Sequence, residues 1–418
     1  MKKEGQNKVE IVVCGCGHRA EGTSLTMIPT GLYDILAVCD PYEDKAEALA
    51  NKIEEKAGKR PIVYTDHIKM FEELKPQAAL VVANWEAHVS ISIDAMKRGI
   101  AVAMEVGGAY DEEECFELVK VYEETKTPFM FMENCCFNKS ELLATSLVRN
   151  GVLGEIAFCS ASYGHDIRDE IGYGNIKRHY RLRNYLTRNC DNYPTHDFGP
   201  IAKIIGINRG NRMVSLVSMS SKSIGMKEYV KTQPELKDLL DANFVQGDII
   251  KTLITCENGE MVELTLDTTL PRYYSREMTV RGTKGAYSMD DNSVFLNSDI
   301  HSPIDTCSSE TQINFRDSAN KYSEYLPKEW QEVTPEILKA GHGGMDHFEF
   351  VAFAKCLLNN EEMPIDVYDA CAWMCITYLS ERSIKLGSIP VEVPDFTHGM
   401  YKNRPIKDVT VLPVIKKD

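Results

Sequence analysis

The sequence predicts two domains. Residues 1–135 read as a doubly wound parallel α/β domain, and residues 136–418 as an α+β domain with a large, mainly antiparallel open sheet. Three observations carry this. The chain has 418 residues, more than one ordinary core organises. Its first third alternates continuous apolar runs with helical segments, the pattern of strands covered by helices on both faces. After about residue 135 apolar and polar residues alternate singly in longer segments, as in strands with one buried face.

In the first domain the strands read as VEIVVCG from residue 9, YDILAVCD from 33, RPIVYTD from 60, QAALVVAN from 77, IAVAMEV from 100 and TPFMFMEN from 127. Between them EDKAEALANKIEEKAG, HIKMFEELKP, HVSISIDAMKRG and YDEEECFELVKVYEETK carry helical spacing. SELLATSLVRNGVLG then reads as a helix. The alternating arms EIAFCSASYGH, RMVSLVSMSSKS, GDIIKTLITCENGEMVELTLDTTL and SREMTVRGTKGAYSMDDNSVFLN follow. ENGE and GTKG are their hairpin turns, with Lys284 at a hairpin tip. Residues 300–340 read as a polar, irregular surface excursion. Helices over MDHFEFVAFAKCLLNN and DVYDACAWMCITYLSERSIKLG come next, then a proline-spaced tail extended over the surface.

Charge narrows the partners. Against 62 Asp and Glu stand 47 Lys and Arg, a formal net charge of -15. Such a surface repels phosphate backbones and anionic headgroups, which argues against nucleic acid and membrane and leaves a small-molecule ligand. The opening MKKEGQNKVEIVVCGCGHRAEG lacks the long apolar core of an export signal, and no window reaches the length of a membrane span. The 13 cysteines lie among apolar residues without CxxC spacing, which reads as reduced core thiols in a cytoplasmic protein. His342 and His347 in GHGGMDH do not have the spacing of a ligand pair on a helix, so no metal is expected. A helix start after a glycine turn suits that motif better. HYRLRNYLTRN, residues 179–189, mixes basic and aromatic residues but reads as a ligand-site loop in so acidic a chain.

The first strand runs into Gly15-x-Gly17-x-x-Ala20, which opens a helix. The first glycine permits the tight turn, the second admits a pyrophosphate to backbone N–H groups, and the small third position allows close helix–strand packing. The next strand ends in Asp40, about where an acid grips a ribose 2′-hydroxyl. No arginine adjoins it, so NAD fits better than NADP. Asn84, Trp85 and His88 follow the fourth strand, Glu105 ends the fifth, and Glu133 and Asn134 follow the sixth. Polar strand ends converging on one rim form a cleft. This is a Rossmann-type site.

The whole resembles the Gfo/Idh/MocA oxidoreductases, whose usual Glu-Lys-Pro is here Glu105-Val106-Gly107. That lysine commonly handles the substrate hydroxyl proton, and valine cannot. Glu105-Val106, MENCCF, YGHDIRDE, NYPTHDFGP, PRYYSRE and GHGGMDH instead resemble glycoside hydrolase family 109, the NAD-dependent α-N-acetylgalactosaminidases. Asp197-Phe198 departs from the glycine–hydrophobic pair of that family. The resemblance implies NAD contacts at Gly15, Gly17, His18, Arg19, Asp40, Asn84, Trp85, His88, Glu105, Val106 and Asn134. It implies that Tyr163, Arg181, Tyr193, Thr195, His196 and Tyr274 face a sugar, with His165 and Arg276 close by. It also implies a homo-oligomer.

The implied chemistry oxidises C3 of the sugar, removes the acidified C2 proton, eliminates the group at C1, adds water and reduces C3 again. His196 would serve the C3 hydroxyl, and Tyr163 and Tyr193 the C2 and leaving-group protons in either order. Arg181 and Tyr274 would position the sugar. Two other readings stay open: a plain NAD-dependent sugar or cyclitol dehydrogenase, against which Val106 counts, and a non-enzymatic NAD-binding sensor.

Overall fold

The computed structural model describes residues 7–299 and 309–415. The first six residues, the last three, and residues 300–308 at the start of the polar stretch lie outside the described residues. The described chain divides into two compact units: residues up to Asn138 together with Val333–Cys371, and Lys139–Glu332 together with residues from Ala372 onward.

The first unit holds six strands, β1 (Val9–Cys14), β2 (Tyr33–Cys39), β3 (Ile62–Tyr64), β4 (Ala78–Val81), β5 (Ala101–Glu105) and β6 (Phe129–Met132). They form one parallel sheet in the order β3-β2-β1-β4-β5-β6. Every residue of β4, β5 and β6 is buried, as continuous apolar runs require of strands covered on both faces. Chain order reverses between β1 and β4, which opens a crevice beyond their carboxyl ends. Residues 333–371 pack with this unit although they follow the other unit's sheet in sequence, and they bring in the helix Met345–Asn359.

The second unit holds β7 (Ile156–Gly164), β8 (Met213–Ser220), β9 (Ile249–Cys256), β10 (Met261–Asp267), β11 (Thr279–Gly282), β12 (Gly285–Ser288), β13 (Ser293–Leu296) and β14 (Val391–Glu392). Their order is β13-β12-β11-β7-β10-β9-β8-β14. Only the β7–β10 pair is parallel. In β9 the residues Ile250, Thr252, Ile254 and Cys256 are buried while Lys251, Leu253 and Thr255 are exposed, so one face of the sheet carries the core. The helix Thr195–Ile204 packs against β7 and against the helix Lys139–Arg149.

Three expectations change. Residues 179–189, read as a loop, contain the helix Arg181–Thr187, which buries Leu182 and Tyr185 in a small satellite core with Ile171, Met226 and Phe244. The described part of 300–340 is a run of short helical turns that buries Ser318, Tyr325, Leu326 and Trp330. These turns bury at most two apolar residues each, too few to show a period in sequence. The tail pairs through β14 with β8 and buries Phe396 and Tyr401. Among the described residues no helix is long and apolar enough to cross a membrane. Twelve cysteines there are buried.

Candidate functional site

In the first unit the glycine turn has the geometry its chemistry needs. Gly15 sits at φ +99°, and a Cβ on it would lie 2.5 Å from the Ala83 Cα, so no other residue fits. Gly17 is exposed directly before the helix His18–Met27, and a Cβ there would meet nothing within 4 Å. That leaves an open approach to the helix N-terminus, where unpaired N–H groups and the helix dipole favour a phosphate. Asp40 closes the turn: its Oδ2 accepts the Cys16 N–H at 2.8 Å and its Oδ1 the Tyr42 N–H at 2.9 Å. Each oxygen keeps a further lone pair for a ribose hydroxyl. These residues suit a dinucleotide.

Glycines also explain the loop after β5. Gly107 and Gly108 have φ of +81° and +116°; a Cβ on the first would strike the Trp85 indole at 2.4 Å, and on the second the His88 Cβ at 2.5 Å. Trp85 and His88 are both buried. The His88 ring lies 3.0 Å from the Ala83 carbonyl and 3.2 Å from the Gly107 carbonyl, so it ties the ends of β4 and β5 together. Burial lowers its pKa, and the neutral ring donates to one carbonyl at a time. Asn84 is exposed at the start of the helix Trp85–Met96. His18 is exposed at the start of its own helix.

Arg19 centres a charge network. Its Nε donates to Glu105 Oε2 at 2.6 Å, and its terminal nitrogens donate to Asp346 at 2.6 and 3.3 Å. Glu105 Oε1 accepts the Val106 N–H at 3.0 Å, which fixes the buried Val106 backbone. Asn134 donates to Asp346 at 2.7 Å, and His342 Nδ1 lies 3.0 Å from the same carboxylate. Burial alone would raise Asp346, but the His342 hydrogen bond and the Arg19 charge outweigh it and hold the acid well below the usual carboxylate range. One turn further along the same helix, Glu349 is fully buried with no hydrogen-bond partner for either oxygen among the described residues. Burial, then the charges of Glu105 and Asp346, push its pKa well up, which favours the protonated acid. His347 is half-buried and its pKa is lowered by burial.

In the second unit the sugar-site candidates fall into one cluster. The Tyr163 and Tyr193 ring centroids are 4.5 Å apart, Tyr193 and His196 meet edge-on at 4.8 Å, and His165 meets Tyr274 at 5.0 Å. The Tyr163 hydroxyl is 3.1 Å from His165 Nδ1, and the Tyr193 hydroxyl 3.4 Å from His196 Nε2. Burial, then the Arg181 charge, lowers the His165 pKa and keeps that ring neutral. The Arg181 guanidinium lies 5.0 Å from the Tyr193 ring centroid, a cation–π contact. Thr195 opens the helix that carries His196, and its buried hydroxyl has no partner among the described residues.

Several anchors escaped the sequence reading. Glu170 Oε1 accepts from Arg181 Nε at 2.8 Å and lies 2.9 Å from His179 Nε2. Burial would raise Glu170, but Arg181 and His179 together hold it well below the carboxylate range. Glu141 pairs with Arg276, which donates to the Tyr274 hydroxyl at 2.8 Å. Asp191, two residues before Tyr193, is buried and accepts from Thr252 at 3.2 Å; burial pushes it up to about 7. Signal for these was slight: Glu141 lies 135 residues from its arginine, and no local spacing marks Glu170 or Asp191 as anchors.

Known proteins match both halves. Residues 9–132 match the oxidoreductase family with an NAD-binding Rossmann fold, and residues 137–403 match the C-terminal domain of glycosyl hydrolase 109. The alpha-N-acetylgalactosaminidase of Tannerella forsythia is 33% identical over 399 residues, covering 88% of this chain and 82% of its own. A glycosyl hydrolase family 109 protein of Akkermansia muciniphila is 33% identical over 95% of this chain and 83% of its own. Among solved structures, myo-inositol 2-dehydrogenase from Lactobacillus plantarum superposes with a TM-score of 0.64 at 16% identity, covering 93% of this chain and all of that one. Scyllo-inositol dehydrogenase from Lactobacillus casei, solved with NAD(H) and scyllo-inositol, gives 0.63 at 15% identity over 92% of this chain and 99% of its own. The dehydrogenases share the fold, whereas sequence identity across both halves follows the hydrolases: an NAD-binding Rossmann unit continues here into a chain that belongs to glycosyl hydrolase family 109.

Proposed function

We propose that this protein is an NAD-dependent α-N-acetylgalactosaminidase that works by transient oxidation, and that it acts in the cytoplasm as a homo-oligomer. The observation that carries the reading is the aromatic–imidazole cluster, where phenol–imidazole pairs at 3.1 and 3.4 Å can exchange protons. Bound NAD⁺ supplies a reversible hydride acceptor, so that C3 of the sugar can be oxidised and later restored without net redox change. His196 takes the proton of the C3 hydroxyl, with the Tyr193 hydroxyl beside it as relay. Tyr163, backed by the neutral His165, moves the C2 proton or protonates the leaving oxygen, and Tyr193 serves the other. Arg181, fixed by Glu170, and Tyr274, fixed by Arg276, hold ring substituents. Thr195 offers its buried hydroxyl to the sugar. In the first unit Gly15, Gly17 and Asp40 seat the nucleotide, with Arg19, Glu105, Val106 and Asn134 shaping its far end. His88 braces the strand ends, and His18, Asn84 and Trp85 line the rim. The buried thiols favour a reducing compartment.

The test is turnover of p-nitrophenyl α-N-acetylgalactosaminide in D₂O. The reading expects hydrolysis without accumulating NADH and deuterium at C2 of the released sugar. Product free of deuterium overturns it. So does steady growth of NADH with a free sugar or cyclitol, which would make the protein a dehydrogenase.

A further inference from the structure

The residue beside Tyr274 stands out by exposure. Tyr273 is 75% exposed, against 45% for Tyr274, 8% for Tyr193 and 4% for Tyr163. Tyr273, the chain neighbour of Tyr274, is thus far more open to solvent than these three tyrosines of the cluster. An aromatic ring so uncovered usually belongs to a loose loop, but this backbone is pinned. Arg272 Nε donates to the Tyr273 carbonyl at 3.0 Å while its terminal nitrogens donate to Asp267 at 2.8 Å and Glu277 at 2.7 Å. The Arg272 guanidinium lies so close over Gly164 that a Cβ there would sit 2.1 Å from its Cζ. Gly164, next to Tyr163, also exchanges backbone hydrogen bonds with Ser275 at 3.1 and 2.9 Å. The base of the Tyr273 side chain is thus held in fixed relation to Tyr163 and Tyr274, with its ring turned to solvent.

We propose that Tyr273 forms a leaving-group subsite, stacking on the flat apolar face of the aglycone. The inference rests on the glycosidase reading of the cluster. A sugar held by the buried tyrosines would have to carry its leaving group out toward solvent, where the exposed Tyr273 lies along the chain. A rigid phenol there gains by covering the C–H face of a pyranose or the face of an aryl ring, and gains little from a small alkyl group. The enzyme would then select glycosides whose leaving group is a ring.

The test compares three substrates: the p-nitrophenyl glycoside, a disaccharide with N-acetylgalactosamine at its non-reducing end, and the methyl glycoside. Tyr273→Ala should lower kcat/KM for a ring-bearing substrate roughly three- to tenfold more than for the methyl glycoside, mainly through KM, and Tyr273→Phe should restore it. A selective loss with the disaccharide assigns the platform to a second sugar, and one with the p-nitrophenyl glycoside alone to an aryl aglycone. Equal losses on all three substrates, or failure of Tyr273→Phe to restore, overturn the proposal. Dissociation constants are read in parallel in NAD⁺-loaded His196→Ala protein with and without Tyr273→Ala. If the wild type hydrolyses nothing but the selective change in binding persists, the glycosidase reading fails and the subsite stands. If no selective change in binding is seen, the subsite is overturned whatever the turnover.

Discussion

The first unit's glycine turn and the second unit's aromatic cluster hold their functional groups by opposite means. Around the glycine turn nearly every polar side chain is committed. Asp40 holds two backbone N–H groups, His88 faces two carbonyls, and Arg19 is clamped between Glu105 and Asp346. In the cluster, rings lean edge-on or tilted against one another, with phenol–imidazole pairs at 3.1 and 3.4 Å, and the firm anchoring falls on Arg181 and Arg276. A nucleotide is the same ligand in every turnover, so a rigid mould suits it. If the cluster's groups give up and regain protons as proposed, packing suits them better, because it fixes position without fixing protonation.

The largest expected effect falls on the chemistry proposed for the cluster. His196→Ala should lower kcat roughly 10²–10⁴-fold, the usual worth of a general base, while NAD affinity measured by calorimetry stays as in the wild type. A parallel collapse of NAD binding would mean that His196 supports the fold and not the reaction.

Within the mould itself, the two glycines should behave differently. Gly15→Ala forces a side chain into a left-handed backbone and against the Ala83 backbone. Together these cost about 3 kcal/mol of stability and remove NAD binding. Gly17→Ala has ordinary φ and open space; its stability should stay within ~0.5 kcal/mol of the wild type, and only the nucleotide should notice. Urea unfolding beside NAD titration separates the two. Equal destabilisation would contradict the turn geometry.

How much of this could be read beforehand follows the same division. The glycine turn, Asp40 and the strand ends are local in sequence, because a parallel sheet brings consecutive strand tips to one rim. The cluster was reached through motif resemblance, since no spacing rule brings Tyr163, His196 and Tyr274 together. Anchors from distant segments were missed in both regions: Asp346 meets Arg19 across more than three hundred residues, and Glu141 meets Arg276. The helix Thr195–Ile204 was concealed by Pro200 in its interior, and Arg181–Thr187 by its brevity. Local chemistry shows in a sequence, whereas buried charge pairing between distant segments does not.

Asp346 tests one such pairing. Asp346→Asn keeps the shape but removes the charge that faces Arg19. Breaking a buried pair from one side costs about 3–5 kcal/mol. Arg19 is a quarter exposed and keeps Glu105, so the cost here should be nearer ~2 kcal/mol. Because the folded acid is held below its ordinary value of 3.8, its contribution is fully present above that pH and is lost as pH falls through the folded value. Wild type and variant should therefore converge in acid, and a gap independent of pH would contradict the pairing.

Glu349 should show the reverse dependence. Its folded pKa lies well above the ordinary 4.5, so the protonated side chain is tolerated below that pH and must either hold its proton or ionise in a buried site above it. Relative to Glu349→Gln, which cannot ionise, the wild type should be equally stable near pH 4. It should then lose about 1.4 kcal/mol per pH unit until the folded pKa is reached. Two acids on one helix, three residues apart, would thus bend the stability curve in opposite directions: Asp346 because charge pairs it, Glu349 because burial, and then the charges around it, favour its neutral form. Parallel pH curves for wild type and Glu349→Gln would mean that Glu349 is ionised and paired after all. The Arg19 network would then have to accommodate a third negative charge.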